Sequence, residues 1–242
     1  MSYHIRPIET PAEHADFEAL QGEVWGDGNG APSPVAIAIA HHGGVVLGAF
    51  EDGSNRLLGG VLSFIGLTDR PAAKRGLVQH SHLACVRNEL HGQGIGEALK
   101  RAQAEATRAQ GLNLISWTYD PILARNAWLN IGKLGCVCSI FIENLYGVMT
   151  DQLNHGLPSD RFEAEWWLDD ARPVPDPASP LVEVEIPSDF QAIKQQDMAR
   201  ALALRLSLRE RCEALFADGF VVFGFDPDRA RPRYRLQRAL LR

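Results

Sequence analysis

The sequence has no apolar run long enough to cross a bilayer. Its most apolar stretch, residues 34–50, is interrupted by His41-His42-Gly43-Gly44, whereas a membrane-spanning helix takes about 20 apolar residues. The opening residues, Met1 to Arg6, lack the apolar core of a secretory signal, so a cytoplasmic protein with no membrane association is expected. Positive charge is not in excess. The 24 Lys and Arg against 30 Asp and Glu give a formal net charge of −6, which argues against broad binding to nucleic-acid phosphates. A local site for one polyanionic ligand stays open. Cysteine is scarce as well: Cys85, Cys136, Cys138 and Cys212 show no CxxC spacing. Without a neighbouring His or Cys set they predict reduced thiols and no metal site.

What is present is ordinary globular material, with 242 residues of which 45% are hydrophobic, enough for one large domain or two small ones. Residues 3–8 read as a strand. Thr10-Pro11-Ala12-Glu13 supplies an N-cap, a first-turn proline and the acid of a capping box for a helix running to about Trp25. Residues 45–50 and 57–67 form a hairpin pattern, with His41-His42 in the loop before it. Residues 77–86 form a further strand, its alternation placing His80, His82 and Ala84 on one face and Gln79, Ser81, Leu83 and Cys85 on the other. A helical pattern over 97–110, its apolar stripe beginning at Ile95, turns Ile95, Leu99, Ala102 and Ala106 inward and Lys100, Arg101, Glu105 and Arg108 outward. Then follow a strand at 112–119, a helix from Asp120-Pro121 to Gly135, and strands at 136–142 and 161–168. In the last of these, alternation should bury one of Trp166 and Trp167 and leave the other for a partner or a second domain. Residues 170–180 carry four prolines and read as a linker. The expected organisation is a domain over 1–169, that linker, and a C-terminal α+β region over 181–242. The strand–helix–strand–strand order after the linker repeats the order of residues 3–67, as an internal duplication would.

The chemistry is carried by His91-Gly92-Gln93-Gly94-Ile95-Gly96, which lies between a strand and a helix. Closely spaced glycines let backbone N–H groups converge on an anion at the positive end of a helix. A P-loop would need Lys-Ser/Thr after the last glycine, where Glu97-Ala98 stands. A dinucleotide fingerprint needs GxGxxG early in a βαβ unit; here the spacing is GxGxG after a strand meander. A tight turn with no ligand is the structural alternative.

These residues resemble motif A of the GNAT superfamily of N-acetyltransferases, from Val86 through the glycines to Leu99. In that family a Gln/Arg-x-x-Gly-x-Gly/Ala loop holds the pyrophosphate of acyl-CoA. His91 stands in the leading position here. A second stretch, Asn126-Ala127 through Asn130-Ile131-Gly132-Lys133-Leu134-Gly135, is similar to the family's helix along the coenzyme arm. Cys136 replaces its final Phe, and Ile131 stands where many members carry a proton-donating tyrosine.

The resemblance spans about residues 3–150. It implies an α/β (α+β) fold with a mixed, mostly antiparallel central sheet flanked by helices. Acetyl-CoA or another acyl-CoA is the implied cosubstrate, with no metal. Its contacts would come from Leu83, Ala84, Cys85 and Val86, from His91, Gly92, Gln93, Gly94, Ile95 and Gly96, and from Asn126, Asn130 and Lys133. Tyr146 and Tyr119 are candidates for the missing acid. His82, Glu143 and Asp120 are candidates for the base. Asn154 and Arg161 are candidates for holding the acceptor. The expected reaction moves an acetyl or other short acyl group, succinyl included, to the primary amine of a small metabolite such as an amino acid. A non-catalytic coenzyme-binding module is the alternative, and a homodimer is compatible with either.

Overall fold

A computed structural model of the chain describes residues 2–26, 28, 30–147 and 156–240. The chain divides into two compact units, Met1–Ser116 and Trp117–Arg242. The fold is α/β, built on a mixed, mostly antiparallel sheet with flanking helices, as expected. Among the described residues no helix is long and apolar enough to cross a membrane.

The first unit contains β1 (Tyr3–Pro7), α1 (Pro11–Trp25), α2 (Ser33–His41), β2 (Val45–Glu51), β3 (Leu57–Leu67), β4 (Leu77–Val86), α3 (Ile95–Ala109) and the start of β5 (Leu114–Tyr119). Its strands lie in the order β1-β2-β3-β4-β5. They are antiparallel through β4, and β5 then joins β4 in parallel. The period-two pattern of β2 decides which core each side chain joins. Val45, Leu47 and Ala49 pack with Ile95 and Leu99 of α3, while Val46 and Phe50 pack with Phe17 and Leu20 of α1.

Three expectations for this unit need correcting. First, α2 occupies Ser33–His41, so His41 ends a helix and is not in a loop. Its Pro32-Ser33-Pro34 start fits a helix N-terminus, but the apolar residues that follow have no polar face to reveal the helical period. Second, Lys100 is buried (4% exposed) and donates to Gln103 at 2.8 Å. Gln103 in turn donates to the Ser81 hydroxyl at 3.1 Å, so α3 presents a polar row where the stripe predicted an outward cation. Third, the β3–β4 register shifts between Leu62 and Ser63, which pair with Leu83 and Ser81 and leave His82 as an extra residue. Such a bulge breaks the alternation. Ser81 meets α3, whereas Leu83 and Cys85 pack in the α1 cluster on the other face.

The second unit contains the end of β5, α4 (Ala124–Ala127), a π-helical turn over Trp128–Lys133, β6 (Val137–Ile142), β7 (Arg161–Trp167), β8 (Val182–Glu185), α5 (Phe190–Gln196), α6 (Met198–Ala217), β9 (Phe220–Asp226) and β10 (Arg233–Arg238). Its strand order is β5-β7-β6-β9-β10-β8. Asp120 makes an Asx turn to the Ile122 amide (3.1 Å) and the helix starts only at Ala124, later than Asp120-Pro121 suggested. Trp166 and Trp167 are both 8% exposed: one packs edge-on against Trp117, and the other donates to Glu165 at 3.1 Å. Neither is left for a partner. Within 170–180, Pro175 bridges Ala239, and the Asp176 amide bonds the Arg238 carbonyl at 2.8 Å. The duplication pattern does not survive strand pairing. In the first unit β1 pairs with β2, whereas β8 pairs with β10, the third strand of its set.

Candidate functional site

The glycine loop is built from its anchors inward. Beyond β4, a short 3₁₀ turn over Asn88–Leu90 drops Leu90 into the α3 core, and Ile95 is sunk beside it at 2% exposure. Between these two apolar pegs, His91, Gly92, Gln93 and Gly94 stand exposed. The His91 ring does not project outward as a free arm. Its Nε2 lies 3.0 Å from the Val86 carbonyl and ties the loop to the end of β4.

Gly92 and Gly94 adopt φ of 83° and 85°, the left-handed region that disfavours side chains. A Cβ on either would meet no atom within 4 Å. The glycines are therefore required by backbone conformation, and the space above them is open. Gly94 is the N-cap of α3, and no side chain bonds to the first turn there. A helix begins with N–H groups that lack intrahelical partners, at the positive end of its dipole. An exposed, uncapped start of this kind suits an anion with several oxygens. Glu97, the acid of that first turn, is held by Arg101 at 2.8 Å, which offsets its charge. Gly96 differs from the other two: its Cβ would only touch Val86 Cγ2 at 3.8 Å.

The strand that feeds the loop is paired on one edge within its unit. Leu83, Ala84, Cys85 and Val86 pair with Leu62, Val61, Gly60 and Gly59 of β3, whereas β4 and β5 pair at Gln79 and His80. Gly60 is a contact glycine, since a Cβ there would sit 2.4 Å from the Phe17 ring. Burial pushes the Cys85 thiol up to about 12, so it stays protonated near neutral pH and is no nucleophile.

His82 is solvent-accessible at the bulge, yet enough protein surrounds its ring to lower its pKa from the usual value. It is mostly neutral at pH 7 and able to accept a proton. His80 is lowered by burial and by the nearby His82 and Lys100; its Nδ1 lies 3.2 Å from the Ser116 hydroxyl. Phe64 of β3 packs on both rings, with centroids at 5.2 Å from His80 and 6.1 Å from His82. Beside Phe64 lies a cavity of about 470 Å³ between α2 and the end of β3. Sequence reasoning missed it, because the helical nature of 33–41 is what creates its wall.

The remaining candidates lie in the second unit. Tyr119 is buried, its hydroxyl 3.4 Å from that of Tyr234 and 3.8 Å from Cys138 Sγ, and burial raises its pKa well above the ordinary value. Tyr146 is half-exposed, and its hydroxyl lies 3.0 Å from that of Thr118. Glu143 is ion-paired with Arg209, which also grips the buried Asp160 through two bonds of 2.7 and 3.0 Å. Asp120 is buried and chelated by Arg205 at 2.6 and 3.2 Å. Arg161 is 7% exposed; it donates to the Asp160 carbonyl at 2.9 Å and lies 3.9 Å from Asp120. Asn130 and Ile131 are the buried residues of the π turn, Asn126 is part-buried and Lys133 is exposed. Asn154 lies outside the described residues. Among the described residues no cluster of three or more His, Cys, Asp or Glu has the arrangement of a metal site.

No protein-family model matches the sequence, and no curated protein does. Solved structures do match. The NatC complex bound to Gag peptide and CoA superposes with a TM-score of 0.55 at 16% identity, over 70% of this chain and 100% of that one. The GNAT-family acetyltransferase from Streptococcus pneumoniae gives 0.54 at 17% identity, over 69% and 100%. The ribosomal-protein-S18-alanine N-acetyltransferase from Escherichia coli gives 0.53 at 12% identity, over 71% and 97%. The chain therefore has the fold of the GNAT acetyltransferases.

Proposed function

We propose that this protein is an acyl-CoA-dependent N-acyltransferase, moving an acetyl or other short acyl group to the primary amine of a small metabolite. The observation that carries the reading is the uncapped start of α3, opened by Gly92 and Gly94 in left-handed conformation. The amides of Gly94, Ile95 and Gly96 would hold the pyrophosphate, and the single-edged backbone of Leu83–Val86 offers main-chain groups to the pantetheine arm. Acyl-CoA supplies the activated thioester carbonyl; the chain's residues bind, orient and move protons. His82, neutral at pH 7, takes the proton that an ammonium acceptor must lose before attack. For proton return to the leaving thiolate, Tyr146 is favoured over Tyr119 because its phenol is accessible. Glu143 and Asp120 are weaker base candidates, since each is held by an arginine.

The non-catalytic alternative has one observation in its favour. Ile131 is buried in place of the family's tyrosine, so the usual acid is absent there.

A thiol-release assay with acetyl-CoA and succinyl-CoA over a panel of amines separates the readings. Turnover is expected, with an acid limb of kcat/KM whose midpoint lies below 6.5, because the His82 pKa is lowered and the neutral base persists further into acid. His82→Gln should remove that limb and lower kcat/KM by about 100-fold or more. Tight CoA binding without thiol release for any amine would favour the binding module instead.

A further inference from the structure

Resting on that reading of the site, we propose that the cavity between α2 and β3 is the acceptor's side-chain pocket, and that it selects amines carrying a compact, uncharged apolar group. Its walls are Pro34, Val35, Ala38 and Ile39 from α2 and Phe64 and Ile65 from β3. Val35, Phe64 and Ile65 are large apolar side chains left 47%, 38% and 38% exposed, all around this one hollow. Apolar side chains gathered around a concavity mark a binding surface more often than scattered ones do. The hollow, about 470 Å³, is in the range of small-molecule sites.

Two observations fix the occupant. The lining holds no Asp, Glu, Lys or Arg, and His42 is its one titratable side chain. A carboxylate or ammonium would find only the His42 imidazole as a side-chain partner there, so the lining favours an uncharged apolar group. The pocket is also joined to the proposed base by one residue. The Phe64 ring that forms its wall packs on His80 and His82. A ligand with its apolar end between Phe64 and α2 would place its amine end toward His82, on the strand that offers Leu83–Val86 to the coenzyme. The hollow itself depends on Gly44, where a Cβ would lie 2.2 Å from Ile39 Cγ2 and 2.5 Å from the Ser63 carbonyl.

The test compares leucinamide, phenylalaninamide, alaninamide and aspartic acid α-amide as acceptors for the full-length protein with acetyl-CoA. We expect kcat/KM at least about tenfold higher for leucinamide than for alaninamide, with the aspartic derivative lowest. Ala38→Phe, on an exposed helical position, fills the hollow from inside and should collapse the leucinamide-to-alaninamide ratio toward one. Phe64→Ala should shift preference toward larger groups. A flat acceptor profile, or a ratio unchanged in Ala38→Phe, would overturn the pocket. Binding is read separately by NMR titration of leucinamide against the side-chain methyls of Val35, Ile39 and Ile65. Shifts confined to those methyls support the pocket whether or not turnover occurs; their absence at saturating amide sinks it. A CoA titration run alongside reports on the coenzyme reading alone, so the two failures are distinguishable.

Discussion

Two helices of the first unit begin in opposite ways. The start of α1 is closed by its own residues. Thr10 Oγ1 accepts from the Glu13 amide at 3.2 Å, and the Glu13 carboxylate accepts from the Glu9 and Thr10 amides and from Arg6. That first turn is satisfied before any ligand arrives. The start of α3 has Gly94 at the cap, no side-chain bond, and open space above. A helix capped for stability has no use for an anion, whereas a helix left open at a glycine loop can accept one. The contrast is between a helix start closed by its own side chains and one left open.

The largest expected effect comes from closing the open start. Gly94→Asp puts a carboxylate at the anion position in a left-handed residue, and should weaken CoA binding by about 100-fold or more, roughly 2.7 kcal/mol. Far-ultraviolet circular dichroism should stay native, because nothing lies within 4 Å of the new Cβ. Retained affinity would remove the distinction between the helices. On the closed side, Thr10→Ala should cost about 1 kcal/mol in urea unfolding and leave CoA affinity unchanged.

The Glu13 carboxyl gives that cap a pH signature. Its pKa is lowered from 4.5 to about 2, chiefly by the Arg6 hydrogen bond, with the Glu9 and Thr10 amides adding to it against desolvation. A depressed folded-state value means the stabilisation is fully present above 4.5 and is lost as pH falls toward 2. Glu13→Gln should therefore be less stable than the parent by about 1 kcal/mol at pH 6, and the gap should close by about pH 2. A gap independent of pH would mean that the carboxylate's charge contributes nothing to the cap. The smallest effect separates the glycines themselves. Gly96 has neither a left-handed φ nor a tight neighbour, so Gly96→Ala should raise helix stability by up to about 0.5–1 kcal/mol. Gly94→Ala should lower stability by about 1–2 kcal/mol.

Much of this contrast was legible in the residues. Thr10-Pro11-Ala12-Glu13 announced a closed cap, and the strand, glycines and helical stripe from Ile95 announced a glycine-led helix start, because both depend on local backbone rules. What depended on non-local packing was not legible. The α2 segment gave no helical period because its apolar residues run together, so the cavity it walls was invisible. Lys100 appeared outward by stripe geometry, yet it is buried with Gln103 and Ser81 as polar neighbours. The bulge at His82 is a pairing event between β3 and β4, and it undid an alternation read from one strand. The difference between β1-β2 and β8-β10 pairing likewise belongs to sheet topology, which the same order of elements can realise in more than one way.

The most direct measurement is a calorimetric titration of the parent protein and Gly94→Asp with CoA and, in parallel, with pantetheine, which lacks the pyrophosphate. The parent should bind CoA at least about 100-fold more tightly than pantetheine, and Gly94→Asp should erase most of that difference while leaving pantetheine binding as it was. Equal affinity of the parent for both ligands, or a preference that persists in Gly94→Asp, would contradict the assignment of this loop as a pyrophosphate cradle.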